Sequence, residues 1–266
     1  MSLHSNRATL SLLNMTKNML AKGIEIRRIT KTSAMLIMSG LSENDISQDI
    51  LEKCIESQKP DGGFIGISDG IWNIKFLDYY PKYKYQRNLA ISWIENNKGD
   101  GYGFGRSSRD VHRIPVTGLA LYLIPELVSR EHLEWLALTW IGEKNSLTYK
   151  AAYTLLALAA NNVYVINRTN LIEETAEWLV SQQEPNGGFA PWLNHPVGPN
   201  VFCTSVAAIS LASLNNSDYF NCICKAYEYL CKTQLKSGIW PYHEIEDGAS
   251  WGLYALSVIE KYLEVV

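Results

Sequence analysis

Apolar and polar positions recur with a helical period along nearly the whole chain, and almost nothing alternates with period two. The pattern predicts twelve helices, over residues 9–20, 25–40, 45–58, 69–80, 83–97, 115–128, 131–142, 148–161, 170–183, 202–214, 219–234 and 249–263. Ser42 is expected to cap the third, Pro81 to stop the fourth, and Asn170 with Glu173 to open the ninth as a capping box. Residues 1–7 read as a frayed terminus. Two kinds of helix alternate. One kind carries Lys, Glu and Trp, as in Ile172 to Gln183, and the other is nearly free of charge, as in Tyr149-Lys-Ala-Ala-Tyr153 and Thr204-Ser-Val-Ala-Ala-Ile209. A helix that is apolar all round is buried, whereas an amphipathic one faces water on one side. Six of each in alternation suit an all-α (α/α)6 toroid, two concentric rings of helices, in a single domain over residues 1–266. An open solenoid is the competing arrangement, but it needs polar capping repeats that the chain does not display.

A repeated turn organises these helices. Gln58-Lys-Pro-Asp-Gly62-Gly63-Phe64, Gln183-Glu-Pro-Asn-Gly187-Gly188-Phe189 and Gln234-Leu-Lys-Ser-Gly238-Ile-Trp240 share one layout, with Gly four places after Gln and an aromatic six places after it. Trp93 to Asn97, running into Gly101-Tyr-Gly-Phe104, is a degraded fourth copy. In two copies an aromatic, Trp178 or Tyr229, stands five residues before the Gln. Gln183 lies 125 residues after Gln58, or three periods of about 42, the size of a stacked helix pair. Glycine ends a helix by taking the left-handed conformation, a role expected of Gly188, and the aromatic packs back on the last turn. The Gln amide can bond backbone groups of the turn or of a neighbouring helix end.

Composition narrows the class. The chain has 266 residues, 47% apolar and 19% charged, which suits one large globular domain and excludes disorder for most of its length. A net charge of -3 gives no basis for nucleic acid or an anionic membrane as partner. No apolar run reaches the ~20 residues of a membrane span. Cys54, Cys203, Cys222, Cys224 and Cys231 are an odd number with no secretory signal, so reduced thiols and a cytoplasmic location are expected. The 8 Trp and 15 Tyr are many for this length and must line an aromatic core or a cavity.

The Gln-x-x-x-Gly-x-aromatic repeats resemble those of squalene-hopene and other class II terpene cyclases, and are similar to those of protein prenyltransferase β subunits. The resemblance implies an α/α toroid whose inner helices enclose an apolar, aromatic cavity for an isoprenoid. Class II cyclases carry Asp-x-Asp-Asp-Thr-Ala at the start of an inner helix, and its middle Asp is the protonated acid that attacks an alkene or epoxide. Placed on that motif, Thr117 brings Arg113, Pro115 and Val116 to the acidic positions, and Thr204 brings Asn200, Phe202 and Cys203. Only Ala249 to Leu253 brings acids, with Asp247 on the catalytic aspartate, Glu246 beside it and Gly248 in place of the last Asp. The prenyltransferase β subunits bind zinc through an Asp-x-Cys and a distant His. No Asp-x-Cys occurs here, so that site does not carry over.

The residues support a compatible chemistry. A carboxylic acid in an apolar cavity beside a second carboxylate stays protonated near neutrality, and Glu244 and Glu246 crowd Asp247 in that way. His243 could return the proton, while Tyr149, Trp72, Trp192 and Trp251 could stabilise a developing cation through their π faces. Asn200 and Cys203 join the substrate-binding candidates from their own helix start. Asp110-Val-His112-Arg113 is a second catalytic candidate: Arg113 or Arg109 could hold a phosphate or carboxylate, with His112 as acid or base and Asp110 beside it. Against these stand plain readings, since acids before a helix stabilise its dipole and charged loops are solvated. His112, His195 and His243 with Cys203 or Asp247 would make a zinc set, yet loop histidines are more often solvent-facing, and neither metal nor cofactor is expected. The resulting expectation is a small stand-alone cyclase or isomerase acting on an apolar isoprenoid or polyene-like substrate. The competing class is a non-catalytic toroid that binds a hydrophobic ligand or a partner subunit; a homo-oligomer is compatible with both.

Overall fold

The computed structural model describes residues 2–161 and 170–265. Among them are twelve α-helices: α1 (Leu3–Ala21), α2 (Ile26–Met38), α3 (Gln48–Glu56), α4 (Ile67–Leu77), α5 (Lys84–Asn97), α6 (Ile114–Leu123), α7 (Arg130–Glu143), α8 (Thr148–Ala160), α9 (Leu171–Ser181), α10 (Val201–Ala212), α11 (Phe220–Thr233) and α12 (Ile245–Val265). Each corresponds to one helix expected from the periodicity, with shifted ends. Ser42 caps a short 3₁₀ turn, Glu43–Asp45, rather than α3 itself, because the chain kinks at Ile46 before helix resumes. Pro125 breaks the sixth helix at Leu123 and starts another 3₁₀ turn. Asn170 caps α9 as expected, its Oδ1 accepting from the Glu173 amide at 3.4 Å.

The chain groups into two compact units, Leu13–Leu136 and Met1–Leu12 with Ala137–Val266, the boundaries falling inside α1 and α7. In the first unit, charge-poor α4 packs between α2 and α6, with α3 against α2 and α5 against α4. In the second, charge-poor α10 packs between α8 and α12, with α9 on α8 and α11 on α10 and α12. The sequence dictates this division. Every residue of α10 except Phe202 is buried, and Val206, Ile209 and Leu211 are almost wholly so. Each such side chain stabilises the fold by about 1.5–3 kcal/mol. Amphipathic α11 buries only Cys222, Ile223, Ala226, Tyr229 and Leu230.

The Gln turns hold successive amphipathic helices together by one repeated bond pattern. Gln58 Nε2 donates to the Gly62 carbonyl (2.9 Å) and to Gln86 in the first turn of α5 (2.8 Å). Gln183 does the same to Gly187 (2.9 Å) and to Cys222 in α11 (2.8 Å). Gln234 bonds Gly238 (3.1 Å) and His4 in α1 (3.0 Å). Asn97, in the degraded copy, folds back on its own helix to Trp93 and, among the described residues, bridges to no other helix. The start of the chain is therefore tied down rather than frayed: α1 begins at Leu3, and Glu260 accepts from the Ser2 amide and the Ser5 hydroxyl.

The left-handed residue of the turn is the first glycine, not the second. Gly187 has φ 87°, and Gly62 and Gly238 repeat it at 90° and 88°. Gly188 is confined by space instead, since a Cβ there would lie 2.6 Å from Pro199 and 2.7 Å from the Tyr229 ring. Trp93 covers Gly63 and Trp135 covers Gly103 in the same manner. The aromatic on the following amphipathic helix thus seals the preceding turn, and Tyr229 adds a hydrogen bond from its hydroxyl to the Pro199 carbonyl (2.9 Å).

Candidate active site

The starts of α8, α10 and α12 are brought to one place by the turn loops of the second unit. The Thr148 amide donates to Pro191 (2.9 Å) and its hydroxyl to Ala190 (2.6 Å), which sets α8 beside the loop that leads into α10. That loop is pinned by the Asn200 amide on Phe189 (3.1 Å) and by Thr204 Oγ1, which accepts from the Phe189 amide (2.9 Å). Asn200 caps α10, its Oδ1 accepting from the Cys203 amide at 2.9 Å. Gly248 lets Tyr242 and Val201 press against the first turns of α12, where a Cβ would lie 2.5 Å from Tyr242. Three positive helix ends therefore share one neighbourhood, favourable for a carboxylate.

Five aromatic rings gather there. Phe202 is their hub, with ring centroids 6.2 Å from Tyr149, 6.4 Å from Tyr153, 6.1 Å from Tyr242 and 5.8 Å from Trp251. Tyr153 also meets Trp251 edge-on at 6.1 Å. Tyr153 and Trp251 are 5% and 1% exposed and form a floor, while Tyr149, Phe202, Tyr242 and Asp247 are half-buried. Asp247 lies in the first turn of α12, which begins four residues earlier than the periodicity suggests. Burial, and next to it the Asp247 carboxylate, push the Tyr153 and Tyr242 phenols above their ordinary range. Burial pushes the Cys203 thiol up to about 11, opposed by hydrogen bonds from Asn200 and Thr148. Cys203 is therefore a neutral hydrogen-bonding group at neutral pH.

The other expected residues fall as follows. Glu246 is buried beside Asp247, and Glu244 is exposed. His243 is exposed, with its ring 4.2 Å from Tyr242 at the edge of the group. Trp192 is 45% exposed and meets His195 at 4.2 Å in the preceding loop. In the other unit, Asp110 is held by Arg113 through two bonds (2.8 and 2.9 Å) and by Arg106 (3.0 Å). These guanidiniums hold its carboxyl well below the usual carboxylate range. His112 bonds the Lys98 carbonyl (2.9 Å) and meets the Trp135 ring at 5.7 Å. Trp72 is buried in α4 beneath Lys31, whose Nζ is 5.2 Å from the ring. Among the described residues no three of His, Cys, Asp or Glu gather as metal ligands would. Two clefts of about 560 and 580 Å³ in the first unit are lined by charged groups such as Lys17, Glu52 and Lys53, or Glu43, Asp45 and Lys82, and do not suit an apolar chain.

Tyr153, Phe202 and Tyr242 were not among the site residues expected from sequence. Tyr153 stands one helical turn after Tyr149, and that i, i+4 pair on a charge-poor helix was the available clue.

The prenyltransferase α/α toroid domain family matches residues 129–265, a little more than half of the chain, and the chain belongs to that family. A comparison of sequences with curated proteins found no match. Among solved structures, a variant of the type II terpene cyclase MstE from Scytonema, in complex with geranylgeranyl dihydroxybenzoate, is similar with a TM-score of 0.74 at 13% identity, over 97% of this chain and 99% of that one. A protein from Actinoplanes is similar at 0.68 and 10% identity, over 96% and 99%. A family 105 glycoside hydrolase of C. acetobutylicum is similar at 0.59 and 12% identity, over 96% and 99%. At these identities the likeness establishes the fold, an all-α α/α toroid. One fold carrying a cyclase and a hydrolase also means that chemistry must be argued from side chains.

Proposed function

We propose that the chain is a small terpene-cyclase-like enzyme, a single toroid domain that cyclises or isomerises an apolar isoprenoid by acid initiation. The observation that carries this reading is the gathering of five aromatic rings beside Asp247 at three helix starts. In the proposed reaction the Asp247 carboxyl, as the general acid, gives a proton to a terminal alkene. The π pair forms the new C–H bond, the O–H pair stays on the carboxylate, and a tertiary cation remains on the substrate. The faces of Tyr149, Phe202, Tyr242 and Trp251 stabilise that cation as it moves along the chain. A neighbouring alkene closes a C–C bond, and loss of a proton to a base such as His243 ends the reaction and allows Asp247 to be reprotonated. Glu246 shapes the acid's surroundings, while Asp110, His112 and Arg113 serve the loop before α6. The MstE structure contains a geranylgeranylated aromatic acid, which supports trying substrates of that length. The five thiols support a reducing, cytoplasmic location.

A second reading is favoured by the near-complete burial of Trp251 and Tyr153. Rings packed so closely would suit a non-catalytic toroid that holds a partner or lipid. Both readings meet one experiment: wild type and Asp247→Asn are incubated with geranylgeraniol and geranylgeranyl dihydroxybenzoate, and products are followed by mass spectrometry. Cyclised product from wild type, falling 10²- to 10⁴-fold in Asp247→Asn at unchanged melting temperature, is the expected result. Equal turnover by the two proteins sinks the acid, and stoichiometric binding without product favours the second reading.

A further inference from the structure

We propose that Phe202 is the side chain that decides how long an apolar chain the site accepts, acting as a gate over the Tyr153 and Trp251 floor. The inference rests on the reading of the aromatic group as the substrate site. Its starting point is an anomaly of exposure. Of the twelve residues of α10, eleven are buried, and the exception is a large apolar one. A phenyl ring left partly in water forgoes part of the ~1.5–3 kcal/mol that full burial contributes. Phe202 nevertheless touches all four other rings of the group, so it stands between an accessible side and a sealed one. Trp251 and Tyr153, which it meets at 5.8 and 6.4 Å, are almost wholly covered.

The position allows movement. Phe202 is the second residue of α10, before the turn that constrains side chains deeper in a helix, and its backbone is held by the Asn200 cap rather than by the ring. Rotation about χ1 would uncover the sides of Trp251 and Tyr153 that Phe202 now meets, without moving a helix. With the ring in place the group is shallow, and with it swung aside the site takes in the next isoprene units. The gate therefore selects by length. Short chains are held outside the ring in either state, whereas long ones bind only by displacing it.

The test compares binding of geraniol, farnesol and geranylgeraniol to the full chain and to Phe202→Ala, by calorimetry. Removing the gate should tighten geranylgeraniol about tenfold or more and leave geraniol nearly unchanged, since each added group buried in an apolar pocket is worth such factors. Phe202→Leu, which keeps an apolar cover, should return most of the wild-type ranking. If Phe202→Ala melts much earlier than wild type, Phe202→Met takes its place, with an intermediate gain expected from its flexible chain. A gain of the same size for all three alcohols, no gain, or no binding by any of these proteins overturns the gate. Asp247→Asn separates this result from the proposed chemistry. Length-dependent gains in Phe202→Ala without turnover in any variant leave the gate standing and remove the cyclase, and turnover lost in Asp247→Asn without those gains does the reverse.

Discussion

Asp110 lies in the loop before α6 and Asp247 in the first turn of α12, each shortly after a glycine–aromatic turn, yet their surroundings are opposite. Asp110 faces two guanidiniums within 3.0 Å, and its charge is consumed in holding its own loop. Asp247 lies close to the Tyr153 and Tyr242 phenols, with a second carboxylate, Glu246, next to it on the same turn. The turn before α6 recurs before α10 down to one bond, Thr117 accepting from the Phe104 amide at 2.8 Å and Thr204 from the Phe189 amide at 2.9 Å, and the turn before α12 keeps the left-handed glycine, Gly238. The repeat therefore supplies the backbone, and the side chains around each carboxylate set its surroundings, guanidiniums for Asp110 and phenols for Asp247.

The sharpest way to break this contrast is to remove each charge in turn. Asp247→Asn should lose 10²- to 10⁴-fold in turnover while melting normally, and Asp110→Asn should keep its turnover. Equal losses would mean that both starts share the chemistry, and the comparison would fail. Next in size is the turn itself. Gly188→Val should destabilise by about 1–3 kcal/mol through crowding against Tyr229, visible as a lower melting temperature. Tyr229→Ala in the same chain should relieve part of that loss, because the cause is space; two losses that simply add would point back to backbone strain. Gln183→Ala removes two hydrogen bonds and should cost about 1–3 kcal/mol, whereas Asn97→Ala, at the copy with no such bridge among the described residues, should cost about 0.5 or less. Equal melting temperatures for those two variants would deny the bridging role.

The smallest effect is at acid pH. The folded-state pKa of Asp110 lies below its unfolded value, so its contribution to stability is complete above about pH 4 and fades as pH falls through the folded value. Solvent screens so exposed a pair, and the effect is modest. Asp110→Asn should flatten the acid limb of melting temperature against pH and leave the neutral range alone, and an unchanged acid limb would remove the ion pair from the account.

What the sequence made legible was local. Helix periods, the Gln turn and the Asn170 cap depend on residues a few places apart, and they appear where the pattern put them. The assignment of the left-handed residue to Gly188 was wrong by one place, because a Gly-Gly pair does not say which member turns and which is crowded. Crowding comes from Tyr229, forty-one places on, and Trp93 plays that part for Gly63. The candidate site was half legible for a similar reason. Asp247, Tyr149 and Trp251 stood out by their chemistry, but Phe202 and Tyr153 look like ordinary core on charge-poor helices. Only the three-dimensional meeting of α8, α10 and α12 places those two rings beside the others.

The bond from Gln234 to His4, with the grip of Glu260 on Ser2 and Ser5, has a consequence for synthesis. These contacts join residues separated by 230 to 258 positions. At ~5–20 residues per second, the first helix waits on the order of tens of seconds on a translating ribosome before its partners exist. During that wait Ala8 and Leu12, buried in the finished protein, have no cover from the C-terminal helices. The buried side of α1 therefore stays uncovered until the C-terminal helices have been made, and a chaperone or a neighbouring nascent chain could hold it in that interval.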